Sequence, residues 1–446
     1  MSDTAIRRDA PQGVATKAAL GHFDEAFKAQ TGAALTELRQ QGFDAFAAHG
    51  LPSIREEAWK YTDVRAIGKT NFALATSLHS ANLDELQLDL DAYRLVFVDG
   101  VFDAERSSFD DLPEGVSLGT LSQRSELPQQ FGSQLAASAG PFTALNQAFA
   151  GEGVYLEVAR NVELEKPVYV LFVSSAGDQP WMSHPRVLIS LADNASATLV
   201  EHFVAEQGAA NFTNLVTEGT LAHGARLDHY KLNEASEQDL HVANLKVEQQ
   251  GDSLFKQHNL TLGGRLVRND IDTELNGEGG HTEYHGLFFV NGRSHVDNHT
   301  VVNHNVARTF SNENYKGILN DRGRGVFNGR VYIKQDAQQV RGYQNNANLL
   351  LSDRAEVDTK PELEIYADDV LCSHGASTGQ LDEDAVFALR ARGIADEHAR
   401  ALLTLAFAGE VLESTAIAAV AQRVERRVAG MLPDRFDLEG LVDISA

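Results

Sequence analysis

Between about Val154 and Leu371 β-branched and polar residues alternate in short runs separated by Gly, Asn and Asp, and no amphipathic helix interrupts them. So long a stretch of strand without helix leaves few architectures open. Aligning Leu199 to His202, Arg226 to His229, Leu254 to His258 and Thr282 to His285 places a histidine at the end of each run, at offsets of 27, 29 and 27. A strand repeat with a period in the twenties fits a solenoid of stacked coils, each burying its inward residues against its neighbours. A β-sandwich is the main competitor. Eleven of the sixteen histidines fall between His184 and His304, but at coil spacing and without a second chelating type. They are therefore expected to be stacked or surface positions on equivalent strands rather than a metal site. His299, His304 and the turn Arg322-Gly323-Arg324-Gly325 stay open as the lining of an inner path or an interface.

Helical texture appears only at the two ends. Phe23 to Ala48 carries Leu35, Leu38, Phe43, Phe46 and Ala47 at helical spacing and stops at Gly50 and Pro52. Arg55-Glu56-Glu57 followed by Trp59-Lys60-Tyr61-Thr62 forms an aromatic cluster with charged flanks, suited to packing. Asp99-Gly100 can supply the positive φ values of a tight hairpin turn. Phe142 to Ala150 is helical again and ends at Gly151 and Gly153. Beyond Gly379, Asp382 can cap a helix whose last turn holds Arg390 and Arg392 before Gly393. A second helix starts at Asp396 with an apolar face of Leu402, Leu403, Ala406 and Phe407; a third carries Ile417, Val420, Val424 and Val428. These helices are expected to cover an end of the solenoid, which needs a cap for solubility. The divisions that follow are 1–153, mostly helical with some strand; 154–375, the strand core; and 376–446, helical.

Bulk properties exclude several function classes. The net charge of −25 argues against nucleic acid or an anionic membrane as partner. The leading MSDTAIRRDAPQG has no apolar signal core, no run reaches membrane-span length, and one cysteine cannot build a disulfide framework. A cytoplasmic location is expected, and the sequons at Asn194, Asn211, Asn259 and Asn298 are read as chance. Gly68-Lys69-Thr70 ends like a phosphate-binding loop, but its first glycine would fall on Asp63, so no ATP site of the chain's own is expected. The glycines near Arg324 have the wrong spacing for a dinucleotide fingerprint. His-Glu-x-x-His, Gly-x-Ser-x-Gly and Cys-x-x-Cys are all absent.

Chemistry centres on Pro361 to Gly379, which holds the only cysteine, Cys372, with His374 two positions on and Asp368 and Asp369 just upstream. In an extended segment Cys372 and His374 share a face roughly 6 to 7 Å apart, within reach of one metal or of neighbouring cluster atoms. Two ligands do not close a site; the remainder would come from a partner or a small molecule. Against this stands the plain reading of Cys372 as a small buried hydrophobe and His374 as a hydrogen-bonded loop residue.

That run, followed by Leu381, Asp382, Phe387, Leu389 and Arg392-Gly393-Ile394, resembles the C-terminal signature of the SufB/SufD family of iron-sulfur cluster assembly proteins, and Glu57 to Thr62 resembles the family's N-terminal Glu-x-Trp-Lys-Tyr-Thr element. The Cys-Ser-His-Gly form and the single cysteine resemble the SufD branch. The resemblance implies a mainly β fold, a right-handed parallel β-helix core between helical terminal regions. It implies a non-catalytic scaffold that pairs through its β-helix with SufB and docks the ATPase SufC on its C-terminal helices. It also implies a transient iron-sulfur cluster shared with SufB, with His374, and less firmly Cys372, as ligands to iron or cluster; flavin binding stays open. Two other classes compete: a β-solenoid enzyme acting on carbohydrate, for which Asp368 and Asp369 are the best carboxylates although adjacent strand residues point oppositely, and a structural homodimer paired through an exposed solenoid edge.

Overall fold

The computed structural model describes residues 17–30, 35–124 and 126–432; the leading segment considered above for a signal sequence lies outside them. Two long sheets dominate the chain, and successive strands alternate between them. Sheet I contains Phe212–Leu221, Leu240–Gln249, Leu266–Leu275, His295–His304, Arg324–Ile333 and Glu356–Ile365. Sheet II contains Ser196–Ala205, Arg226–Glu234, Leu254–Thr261, His281–Val290, Phe310–Leu319, Val340–Leu350 and Val370–Gly379. Within each sheet these strands pair in parallel, so the chain winds as a β-solenoid. Inward side chains such as Leu227, Phe255, Tyr284, Tyr315 and Phe327 form one core along the axis. Register is fixed by this burial, because a slip of one residue would turn every inward side chain outward.

Each coil also needs a corner. Asn161, Asn194, Gly224, Asp252, Gly279, Arg308 and Gln339 all have positive φ, and backbone hydrogen bonds stack most of them coil upon coil. Asn, Asp and Gly tolerate that conformation best, which explains the punctuation seen in the sequence. The period is legible, but only one of the three histidine offsets joins stacked residues. His258 pairs with His285, whereas His229 pairs with Gln257, and His202 with Leu232. The connections between strands differ in length, so histidine offsets do not track coil offsets. Nor are most of these histidines at the surface: His184, His202, His229, His241, His258, His285 and His304 are buried.

The two ends of the solenoid differ. At the N-terminal end Val116–Thr120 runs antiparallel to Gly153–Val158, and Tyr93–Val98 joins sheet II beside Val168–Ser174. Tyr93–Val98 also turns through Asp99 and Gly100, at φ 50° and 85°, into Val101–Phe102, the expected hairpin. Helices α1 (Lys17–Lys28), α2 (Thr36–His49), α3 (Arg65–Lys69) and α4 (Pro141–Ala148) gather Phe23, Phe46, Trp59 and Phe142 against Phe212 and Leu266 of sheet I. At the other end Glu356–Ile365 and Val370–Gly379 each have a neighbour on one side only.

The C-terminal helices do not close that end. Helices α5 (Glu383–Arg390), α6 (Asp396–Leu412) and α7 (Ala418–Met431) follow, and α6 and α7 lie on the outer face of sheet II. There Ala401, Ala408, Val411, Val420, Val424 and Val428 meet Leu232, Leu260, Leu287 and Ile318. Arg423 Nε donates to Glu234 Oε2 at 2.8 Å, and the Ala416 N–H donates to the Tyr230 hydroxyl at 3.1 Å. The expected cap is thus a flank. The reason is the outer face of sheet II, where Leu232, Leu260, Leu287, Phe289 and Ile318 make an apolar patch that must be covered. Asp382 caps α5 as expected, its carboxylate accepting from Asp384 N at 2.9 Å. Ala406, placed by periodicity on an apolar face, is exposed.

Candidate partner-facing site

The site is built from the last strand, Val370–Gly379, laid on Val340–Leu350. Alternate residues of that strand continue the inward rows of sheet II, so Cys372 and His374 project from the open end of the bore. They share one face, as period two requires. Cys372 extends the row through Phe255, Thr282, Ser311 and Gly342; His374 extends the row through His229, Gln257, Tyr284, Glu313 and Gln344.

The two residues have different surroundings. Cys372 is half-buried and packs on a small cluster of Val331, Ile333, Ala337 and Val340. It fills the space left by Gly342, where an added Cβ would lie 3.5 Å from the sulfur. Burial pushes the Cys372 thiol up, and the Gly342 N–H pulls it back only in part. The thiol therefore stays protonated at neutral pH, which weakens it as a ligand. His374 is exposed. Beneath it, Gln344 Nε2 donates to Glu313 Oε1 at 3.3 Å, and Thr300 Oγ1 donates to Glu313 Oε2 at 2.5 Å. Burial pushes the Glu313 carboxyl up to about 7. Replacing Glu313 by glutamine is accordingly expected to remove a loss of stability that the native chain suffers as pH rises from about 4.5 to about 7, the interval in which the unfolded carboxyl ionises and the folded one resists. Urea unfolding at several pH values checks this: an unaltered pH slope in Glu313→Gln would contradict it.

Glu313 and Gln344 escaped the sequence reading, although each lies one coil length before the next member of the row. Only the exact register, set by corners of unequal length, connects them to His374. Asp368 and Asp369 are exposed and sit in the turn before the last strand, not in it. Asp369 serves the turn through its backbone: its N–H donates to Gln338 Oε1 at 2.8 Å and its carbonyl accepts from Gln339 N at 2.6 Å. His304 is buried against Thr309 and Ser311, and His299 lies 3.0 Å from Asp297, so neither joins the open end. Arg322 to Gly325 belongs to a corner of sheet I. Among the described residues no three His, Cys, Asp or Glu side chains converge as a metal cage. The chain brings two donors to this end, at an edge whose large apolar residues are uncovered: Leu371 is 60% and Tyr366 58% exposed.

Comparison with known proteins gives a consistent picture. Residues 172–407 match the family model described as SUF system FeS cluster assembly, SufBD core domain, and residues 21–170 match the SufBD protein N-terminal region. The chain is 34% identical over 397 residues to the iron-sulfur cluster assembly protein SufD of Escherichia coli, covering 88% of this chain and 92% of that protein. It is 32% identical to an iron-sulfur cluster assembly SufBD family protein of Synechocystis, over 89% of this chain and 90% of the relative. Identity to the SufD of Bacillus subtilis is 26%, over 64% of this chain and 66% of the relative.

Proposed function

The chain belongs to the SufB/SufD family, on its SufD side, and has a role in SUF iron-sulfur cluster assembly; from this premise we propose that it acts as a non-catalytic subunit pairing through its open solenoid end with SufB. The observation that carries this reading is the unsatisfied end itself. Two adjacent strands, Glu356–Ile365 and Val370–Gly379, present free edges beside exposed Leu371, Tyr366 and Ile365. Such edges are templates for another sheet. A SufB strand added there would bury those side chains and place its own residues against Cys372 and His374. The nascent cluster is cargo at this interface, with His374 contributing an imidazole and SufB the remaining donors. A mixed and incomplete donor set suits a cluster that must leave.

SufC is assigned to the C-terminal helices. Phe387 on α5 is 69% exposed, while α6 and α7 are committed to sheet II. Closure of a SufC pair on ATP would pull on helices that are pinned to the sheet whose last strand carries His374, and so rearrange the interface. A homodimer through the same edge is the second reading the geometry favours, in the absence of SufB.

Two exposed substitutions separate the surfaces. Leu371→Asp is expected to keep the fold and SufC binding but weaken pairing with SufB by about tenfold or more, since it sets a charge in a buried contact. Phe387→Asp is expected to do the converse. Affinity measurement on the purified subunits checks both, and normal SufB affinity in Leu371→Asp would refute the edge-pairing assignment. Truncation after Gly379 is a poor substitute, because it would uncover the apolar face of sheet II. Cys372→Ser is expected to leave the cluster content of the complex near that of the native protein, as the thiol packs; a loss matching that of His374→Ala would make it a ligand.

A further inference from the structure

Two stretches that this function leaves unused, Glu57 to Thr62 and Arg322 to Gly325, meet on the outer side of sheet I. There they border a cleft of about 510 Å³. Its walls are cationic: Arg65 and Lys69 come from α3, and Arg265, Arg293 and Arg324 come from three successive coils, whereas burial pushes the His295 imidazole between them down and keeps it neutral. In a chain of net charge −25 this is a local reversal of sign. The one acid in the lining, Asp63, is held by Arg65 at 2.7 Å. Arg324 Nη2 reaches Asp358 at 2.8 Å and Glu356 at 3.5 Å, but its Nε is buried and has no partner among the described residues. Arg265 and Arg293 are exposed and make no ion pair among the described residues.

The cleft is also built in advance. The Trp59 ring lies 4.0 Å from the Arg268 guanidinium, which is buried and bonded to Asp270 at 2.7 Å and to Asp297 at 2.8 Å. Thr62 Oγ1 donates to Asp297 and lies 2.8 Å from His295 Nε2. The aromatic segment is thereby locked to the solenoid, and α3 is held over the corner that carries the arginines.

We propose that this cleft is a binding site for a diphosphate group. Guanidinium forks match phosphate oxygens bidentately, and two guanidiniums that make no ion pair among the described residues, Arg265 and Arg293, beside Lys69 invite a multiply charged anion. Coils stack at about 4.8 Å, so the two phosphates of a diphosphate can engage arginines of more than one coil at once. Tyr61 stands in the wall, with Lys60 over its ring at 5.2 Å, and is the aromatic residue nearest to hand should the diphosphate carry a base. The site lies on the outer face of sheet I, one strand in from the free edge Glu356–Ile365, and does not depend on the function assigned to that edge.

The test is calorimetric titration of the full chain with inorganic pyrophosphate and, separately, with ADP, at constant ionic strength, against the double variant Arg265→Ser, Arg293→Ser. Both arginines are exposed and make no ion pair among the described residues, so unfolding of the variant is expected to match the native chain. Binding with a Kd of about 1 mM or tighter, weakened about tenfold or more in the variant, is the expected result. ADP binding more tightly than pyrophosphate identifies a nucleotide as the source of the diphosphate; equal binding identifies the diphosphate alone. The proposal is overturned by an absence of binding, by sulfate binding as well as pyrophosphate, or by a double variant that binds like the native chain.

Discussion

Asp297→Ala is expected to cost about 3–5 kcal/mol of folding stability, because it leaves the buried Arg268 guanidinium without one of its two carboxylates. The Arg268 side chain is 2% exposed and that of Asp297 1% exposed, so water cannot take the missing place. Burial alone pushes the Asp297 carboxyl up, but the Arg268 guanidinium and His299 outweigh it and hold the group below the usual carboxylate range. A carboxyl depressed in the fold contributes stability above its unfolded value of about 3.9 and loses it as pH falls through the folded one. The loss in Asp297→Ala should therefore be largest near neutrality and shrink in acid. The same carboxylate accepts from Thr62, which ties the Trp59 segment to sheet I, so the N-terminal helices should loosen with it. Asp297→Asn keeps the shape and an acceptor for Thr62 and is expected to cost less. Urea unfolding of the full chain measures this, and a loss below about 1 kcal/mol in Asp297→Ala would show that Arg268 is satisfied by Asp270 alone.

What the sequence reveals about this fold depends on how local the physics is. The solenoid is legible because its signals are local and repeated. Corner residues such as Asn194, Asp252 and Gly279 answer a φ requirement that each coil meets anew, and the alternation around Leu227 or Phe255 reports a half-buried strand. The hairpin at Asp99-Gly100 and the cap at Asp382 are legible for the same reason. Register is not local. His202 and His229 look equivalent in sequence and are not in space, because the length of each connection decides which residue stacks on which. The placement of α6 and α7 is not local for a related reason: their apolar faces are plain, but the surface they cover is assembled from single residues of many coils, Leu232, Leu260 and Leu287 in one row and Ile318 in the next. At the site, the shared face of Cys372 and His374 follows from period two. The polar row behind His374, and the half-burial that sets Cys372 apart from it, required the coils to be stacked.

His374→Ala is expected to leave the subunit folded and its assembly with SufB and SufC intact, while cluster on the complex falls by about tenfold or more, at least as much as losing an outer-shell partner costs other metal sites. The imidazole is exposed in the middle of the last strand, and among the described residues no side-chain hydrogen bond depends on it, so stability should change by no more than about 0.5 kcal/mol. The same exposure leaves it free to meet a group brought by the partner, whereas Cys372 is turned into its own small cluster. Leu371→Asp loses the cluster by losing SufB; His374→Ala should lose it with SufB still bound. That difference separates a role in the chemistry from a role in pairing. The direct measurement is iron and acid-labile sulfide in the complex purified without oxygen, read with its visible absorption, for the native protein and His374→Ala side by side. An intact variant complex with little iron and sulfide is the predicted result; an intact variant complex with the native cluster content would contradict the assignment of His374 to the cluster.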